Sequence, residues 1–87
     1  MDAFEAVADP TRRRIIEMLA ERELSAGEIA RRFDMTPPAV SQHLKILRTA
    51  DLVHVRKEAQ RRLYTIEPRG LAEIDAWLTR YRQYWST

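Results

Sequence analysis

Side chains able to do chemistry are sparse in this sequence, and they do not gather into a catalytic set. His43 and His54 lie on different segments, with no third nitrogen, no sulfur and no carboxylate spaced to join them. A lone histidine is usually structural, and both metal ligation and general-base catalysis find too few partners here. Cysteine is absent, which removes thiolate metal sites, disulfides and thiol redox chemistry together. The early Glu- and Asp-bearing stretches show no paired-carboxylate spacing, no glycine-rich loop exists to cradle phosphate, and no Ser/His/Asp spacing marks a nucleophile. An enzyme is not expected, and no cofactor or metal is implied. What does gather is positive charge: residues 1–30 carry a net −3, residues 31–66 a net +5, and residues 67–87 none. A polyanion would have to dock on the middle of the chain.

Within that middle, the segment from Thr36 to Ala50 separates its side chains cleanly. Projected at ~100° per residue, Val40, Leu44 and Leu47 fall on one arc with Ile46, Ala50 and His43 beside them, while Pro37, Pro38, Ser41, Gln42, Lys45 and Arg48 fall on the other. The outer arc carries cations and amides, and the whole segment holds no carboxylate, which would repel phosphate. Gln42 can offer its amide to a base edge, and Ser41 is short enough for close approach. Lys45 and Arg48 suit phosphates. Pro37 and Pro38 stiffen the helix start, bring apolar surface to thymine methyls, and are expected to aim the helix dipole and free N–H groups at the duplex. Downstream, Arg56, Lys57, Arg61 and Arg62 are placed to follow the adjacent backbone or enter a minor groove, Arg61 and Arg62 foremost.

The elements that must hold these residues are legible from caps and periodicity. Phe4 and Val7 indicate a short first helix. Asp9-Pro10 starts a second, in which aspartate accepts from open backbone N–H groups and proline loses nothing at the first helical position; it runs to about Glu21, with Ile15, Ile16 and Leu19 inward. Ser25-Ala26-Gly27-Glu28 is a capping box opening a short helix to about Phe33, with Ile29 and Phe33 inward. After a turn at Asp34-Met35, Thr36-Pro37 launches the helix to about Ala50, so that residues 26–50 form a helix-turn-helix. From Leu52 the period changes to two: Leu52–Arg56 and Arg61–Ile66 read as a hairpin turning near Glu58-Ala59-Gln60, and a basic hairpin in this place is a wing, over about 52–66.

Residues 68–85 predict a last helix, with Leu71, Ile74, Leu78, Tyr81 and Trp85 at spacings of three and four and Trp77 and Tyr84 widening the stripe. So much apolar surface on the terminal helix of an 87-residue chain calls for a partner, and Phe4, Leu71, Ile74, Trp77, Leu78, Tyr81 and Trp85 are the expected dimer interface. The fold class is therefore mainly α with a small β-hairpin: one winged helix-turn-helix domain spanning residues 1–87, paired as a homodimer through its N- and C-terminal helices. Double-stranded DNA is the expected partner, no membrane is, and the start Met1-Asp2-Ala3-Phe4-Glu5 lacks the features of a signal peptide, so a cytoplasmic location is expected.

Three strings, Asp9-Pro10-Thr11-Arg12-Arg13-Arg14-Ile15, Ser41-Gln42-His43-Leu44-Lys45-Ile46-Leu47 and Arg62-Leu63-Tyr64, in that order and spacing, resemble the ArsR/SmtB transcriptional repressors over nearly the whole chain. The resemblance implies a homodimer joined through first and last helices, two recognition helices on a pseudo-palindromic operator, and repression relieved by a ligand or event. It also implies that Pro37, Pro38, Ser41 and Gln42 lie at the DNA. Metal-sensing members carry Cys-x-Cys where this chain has Ser25 and Gly27, and members sensing zinc in the last helix use an Asp-x-His start where Asp75-Ala76-Trp77 stands, with no histidine following. A metal-independent repressor is the expectation, and no effector is implied by these residues. Two alternatives stay open: a winged-helix protein-interaction module, and a sensor of a small ligand at the dimer interface. Ala59 also departs from the family, whose wing tips commonly use glycine for a left-handed backbone.

Overall fold

Each α-helix begins where a polar side chain takes up an open backbone N–H. The structure, a computed structural model, describes residues 1–86. Helix α1 (Ala3–Ala8) is capped by Asp2, and α2 (Pro10–Glu21) by Asp9, whose carboxylate accepts from the Arg12 N–H at 2.9 Å. That hydrogen bond holds the Asp9 carboxyl below its ordinary pKa. Strand β1 (Leu24–Ser25) is followed at once by α3 (Ala26–Ala30), where both halves of the capping box form: Ser25 Oγ accepts from Glu28 N at 3.1 Å and Glu28 Oε1 from Ser25 N at 2.9 Å. Thr36 caps α4 (Pro37–Thr49), and Glu67 caps α5 (Pro68–Thr79). Strands β2 (Val53–Glu58) and β3 (Arg61–Ile66) form the hairpin.

The sheet is three-stranded and antiparallel in the order β1-β3-β2. Leu24 pairs with Tyr64 and Ser25 with Leu63, while β2 runs from Val53 opposite Ile66 to Glu58 opposite Arg61. The strand β1 is absent from the sequence reading because two residues show no periodicity, and Ser25 serves as strand residue and helix cap at once. Ile15, Leu24, Ile29, Leu44, Leu47, Leu52 and Val53 are fully buried, with Met18, Val40 and Tyr64 completing a single core. Burial stabilises each of the large apolar side chains by about 1.5–3 kcal/mol, and this core joins α2, α3, α4 and the hairpin base into one support.

Two helix ends differ from expectation. The first helix of the helix-turn-helix stops at Ala30 rather than near Phe33, because the chain tightens: Arg32 and Phe33 donate to the carbonyls three residues back, at 3.0 and 3.2 Å, and Phe33 still reaches the core. The last helix stops at Thr79 instead of continuing to 85, and a 3-10 turn at Arg82–Tyr84 follows. Thr79 Oγ1 donates back to the Asp75 carbonyl at 2.8 Å, a bond that competes with helix continuation, and the next N–H groups, Arg80 and Tyr81, bond three residues back.

Candidate nucleic-acid interface

Helix α4 is positioned by its buried arc. With Val40, Leu44 and Leu47 locked in the core, the opposite arc has to face outward, and Pro37, Pro38, Ser41, Gln42, Lys45 and Arg48 are all exposed. The N-terminus of α4 corrects one expectation. Pro37 and Pro38 lack N–H groups, Ala39 N donates to Thr36 Oγ1 at 3.3 Å, and Val40 N to the Thr36 carbonyl at 3.1 Å. None of the first four helix positions, 37–40, therefore offers a free N–H to a phosphate, and the prolines present apolar surface only.

The far end of α4 closes in a Schellman turn. Leu52 N donates to the Leu47 carbonyl at 2.9 Å and Asp51 N to Arg48 at 3.1 Å, with Asp51 at φ 59°. This turn throws β2 back alongside α4 and builds a cleft between the helix and β3. Ser41, Leu44, Lys45 and Arg48 line one wall, Arg62 and Tyr64 the other, around a volume of about 410 Å³. A shallower cleft of about 230 Å³ adjoins it, where Arg48 and Arg62 meet Val55, Arg56 and Lys57 of β2. The cations of α4 and the hairpin thus form one continuous basic surface.

Not every wing cation is equally available. Arg56 makes a bidentate bond to Glu23 (2.9 and 2.8 Å) and a further ion pair with Glu58 at 2.9 Å, and these bonds raise its pKa further while lowering that of Glu23. Arg61 donates to Glu28 Oε1 at 3.1 Å. The turn joining the strands is the pair Ala59-Gln60, with Ala59 at φ 57° despite its Cβ.

The two histidines are placed apart. His54 is exposed on β2 opposite Thr65, whereas His43 is half-buried with Nδ1 3.4 Å from Arg12 Nη1. Arg12, only 8% exposed, donates from Nε to the Ala6 carbonyl at 2.7 Å and from Nη2 to Glu5 at 3.2 Å. It satisfies the open C-terminal carbonyls of α1 and ties them to α4. Sequence reasoning missed this role, which has no periodic signature, and it missed the pairing of Glu23 and Glu28 with the wing because partners 33 residues apart leave no local pattern. Among the described residues no group of three or more His, Cys, Asp or Glu side chains could hold a metal ion. The family's cysteine positions do not fit one either: Ser25 Oγ is engaged in capping α3, and Gly27 has no side chain.

Outside these clefts, Leu71, Trp77, Leu78, Tyr81 and Trp85 are exposed, Trp77 by 46% and Trp85 by 56%. Phe4 is half-buried, its ring edge-on to Trp77 at 5.8 Å, and Trp77 stacks obliquely on Tyr81 at 5.0 Å. Ile74 packs on the core of its own chain. No helix among the described residues is long and apolar enough to cross a membrane.

Known proteins share this arrangement. The family described as bacterial regulatory proteins, arsR family, matches residues 9–55. The HTH-type transcriptional regulator Rv2034 of Mycobacterium tuberculosis is 49% identical over 79 residues, covering 91% of this chain and 74% of that protein. The transcriptional repressor SdpR of Bacillus subtilis is 31% identical over 80 residues, covering 92% and 89%. The crystal structure of an ArsR family transcriptional regulator superposes with a TM-score of 0.86 at 29% identity, covering 98% of this chain and 88% of that one.

Proposed function

The chain belongs to the arsR family of bacterial regulatory proteins and is a DNA-binding transcriptional regulator, not an enzyme, and we propose that it acts as a metal-independent homodimeric repressor on a pseudo-palindromic operator. The single observation that carries this reading is the exposed, carboxylate-free arc of α4, continuous with the basic clefts of the wing. In it Gln42 reads base edges, Ser41, Pro37 and Pro38 allow close approach and meet thymine methyls, and Lys45 and Arg48 bind phosphate. The exposed aromatic face of α5 supplies the homodimer contact, which sets two recognition helices one helical turn of DNA apart. Metal independence is supported by the residues at the family's two metal positions, where serine, glycine and tryptophan stand. Repression is the sense in which the Bacillus relative is named.

The test is binding to the DNA upstream of its own gene, measured against salt. Affinity falls steeply as salt rises, as counterion release requires. Gln42→Ala relaxes sequence preference, whereas Lys45→Ala weakens all sequences alike. Equal loss of preference in both variants contradicts the assigned roles, and a chelator leaves the wild-type affinity unchanged.

A further inference from the structure

The β2-β3 hairpin is two-faced, and its faces treat their cations oppositely. Cross-strand partners lie on the same side of a sheet, so the pairings Arg56 with Leu63 and Glu58 with Arg61 put Arg56, Glu58, Arg61 and Leu63 on one face, and Lys57 with Arg62 and Val55 with Tyr64 put Lys57, Arg62 and Tyr64 on the other. Every cation of the first face is engaged: Arg56 with Glu23 and Glu58, Arg61 with Glu28. Lys57 and Arg62 of the second face make no ion pair among the described residues, nor do Lys45 and Arg48 of α4, and that face lines both basic clefts, with Arg56 the one first-face cation beside it, in the shallower cleft.

We propose that phosphate of the DNA backbone is taken by the Lys57 and Arg62 face of the wing, together with Lys45 and Arg48, while Arg56 and Arg61 are positioning residues that Glu23 and Glu28 hold off the DNA to fix the wing against the helix-turn-helix. This rests on the DNA-binding reading and assigns its contacts. Both carboxylates flank β1, the strand that pairs with β3, so the two ion pairs brace the hairpin on either side of that ladder. Neither carboxylate has to be ordered anew for the purpose. Glu28 is already set by its capping bond to Ser25 N, and Glu23 meets Arg56 in a bidentate fork, the geometry in which a surface pair survives competition. Arg61, favoured by sequence together with Arg62 for DNA contact, therefore points away from the face that meets it, and Lys57 takes its place.

The experiment uses the full chain and a labelled random-sequence duplex, with the dissociation constant measured across a salt series and folding checked by circular dichroism. Arg62→Gln and Lys57→Gln each lower the slope of log affinity against log salt by ~0.9 per protomer. Arg61→Gln leaves the slope unchanged and weakens binding by up to about fivefold, Arg61→Lys restores the affinity, and the double variant Arg61→Gln with Glu28→Gln is no weaker than either single one. An Arg61→Gln slope that falls as far as that of Arg62→Gln overturns the assignment. So does an affinity gain in Glu28→Gln, which keeps the capping bond but frees Arg61. Absence of salt-dependent binding by the wild type instead overturns the DNA-binding reading itself, so the two failures are distinguishable.

Discussion

Ala59 holds the wing tip in a conformation that its own side chain opposes. A positive φ of 57° brings Cβ toward the carbonyl oxygen, which costs an L-residue about 1–2 kcal/mol, while glycine in the same place loses about 0.5–1 kcal/mol to its greater freedom in the unfolded chain. The balance favours glycine. Ala59→Gly is expected to stabilise the protein by up to about 1 kcal/mol, read as a rise of roughly 4–8 °C in thermal midpoint for a domain of this size; a midpoint that falls would show that the turn does not need the left-handed region. Asp51, at φ 59°, is the same problem solved differently. Aspartate tolerates that region better than alanine does, and its carboxylate meets Arg69 at 3.3 Å across the junction with α5. Neither position carries a glycine, so the sequence gives no local sign of a left-handed residue at Asp51, and Ala59 takes up that region without one.

At the scale of elements, α5 is seated by one close approach. A Cβ at Gly70 would lie 2.7 Å from the carbonyl oxygens of Ala50 and Asp51 and 2.8 Å from Leu52 Cδ2, and Gly70 N donates to the Asp51 carbonyl at 2.8 Å. Backbone cannot yield as a flexible side-chain end can, so α5 must lift off the α4 exit turn to admit a methyl. Gly70→Ala is expected to destabilise by about 1–3 kcal/mol, measured by urea denaturation; an unchanged midpoint would place α5 more loosely than its hydrogen bond requires. Elements set by caps and by apolar spacing were readable from sequence: Asp9-Pro10, Ser25 to Glu28 and Thr36-Pro37 each start a helix where they were expected to. What escaped was set by partners distant in sequence. Strand β1 exists because Leu24 and Ser25 find Tyr64 and Leu63, and the buried Arg12 reaches His43 31 residues on. The outward arc of α4 was legible since periodicity alone separates it from the core, whereas the sorting of Arg61 from Arg62 depended on strand register and on Glu28.

For the molecule as a whole, the question is what the aromatic side of α5 does in a chain whose own core is already complete. Leu71, Trp77 and Leu78 of that helix, and Tyr81 just beyond its end, remain exposed although Ile74 on the same arc packs against the core. A contiguous apolar surface of this kind on a small domain marks an interaction site, and pairing two copies through it is the proposed use. Trp77→Ala, which removes the ring against Phe4 and Tyr81, is expected to shift sedimentation toward monomer, and Leu78→Glu more completely, with helical content retained in both. If both variants sediment as the wild type does, the proposed pairing through α5 is wrong. The monomer that Leu78→Glu yields keeps the whole basic face of α4 and the wing, and so isolates the contribution of pairing to binding. Two linked recognition helices make the second half-site contact effectively intramolecular, worth a factor on the order of 100 or more. Affinity for a full operator should therefore fall by at least that factor in the variant, while affinity for a single half-site changes little, because the contacts within one protomer are untouched.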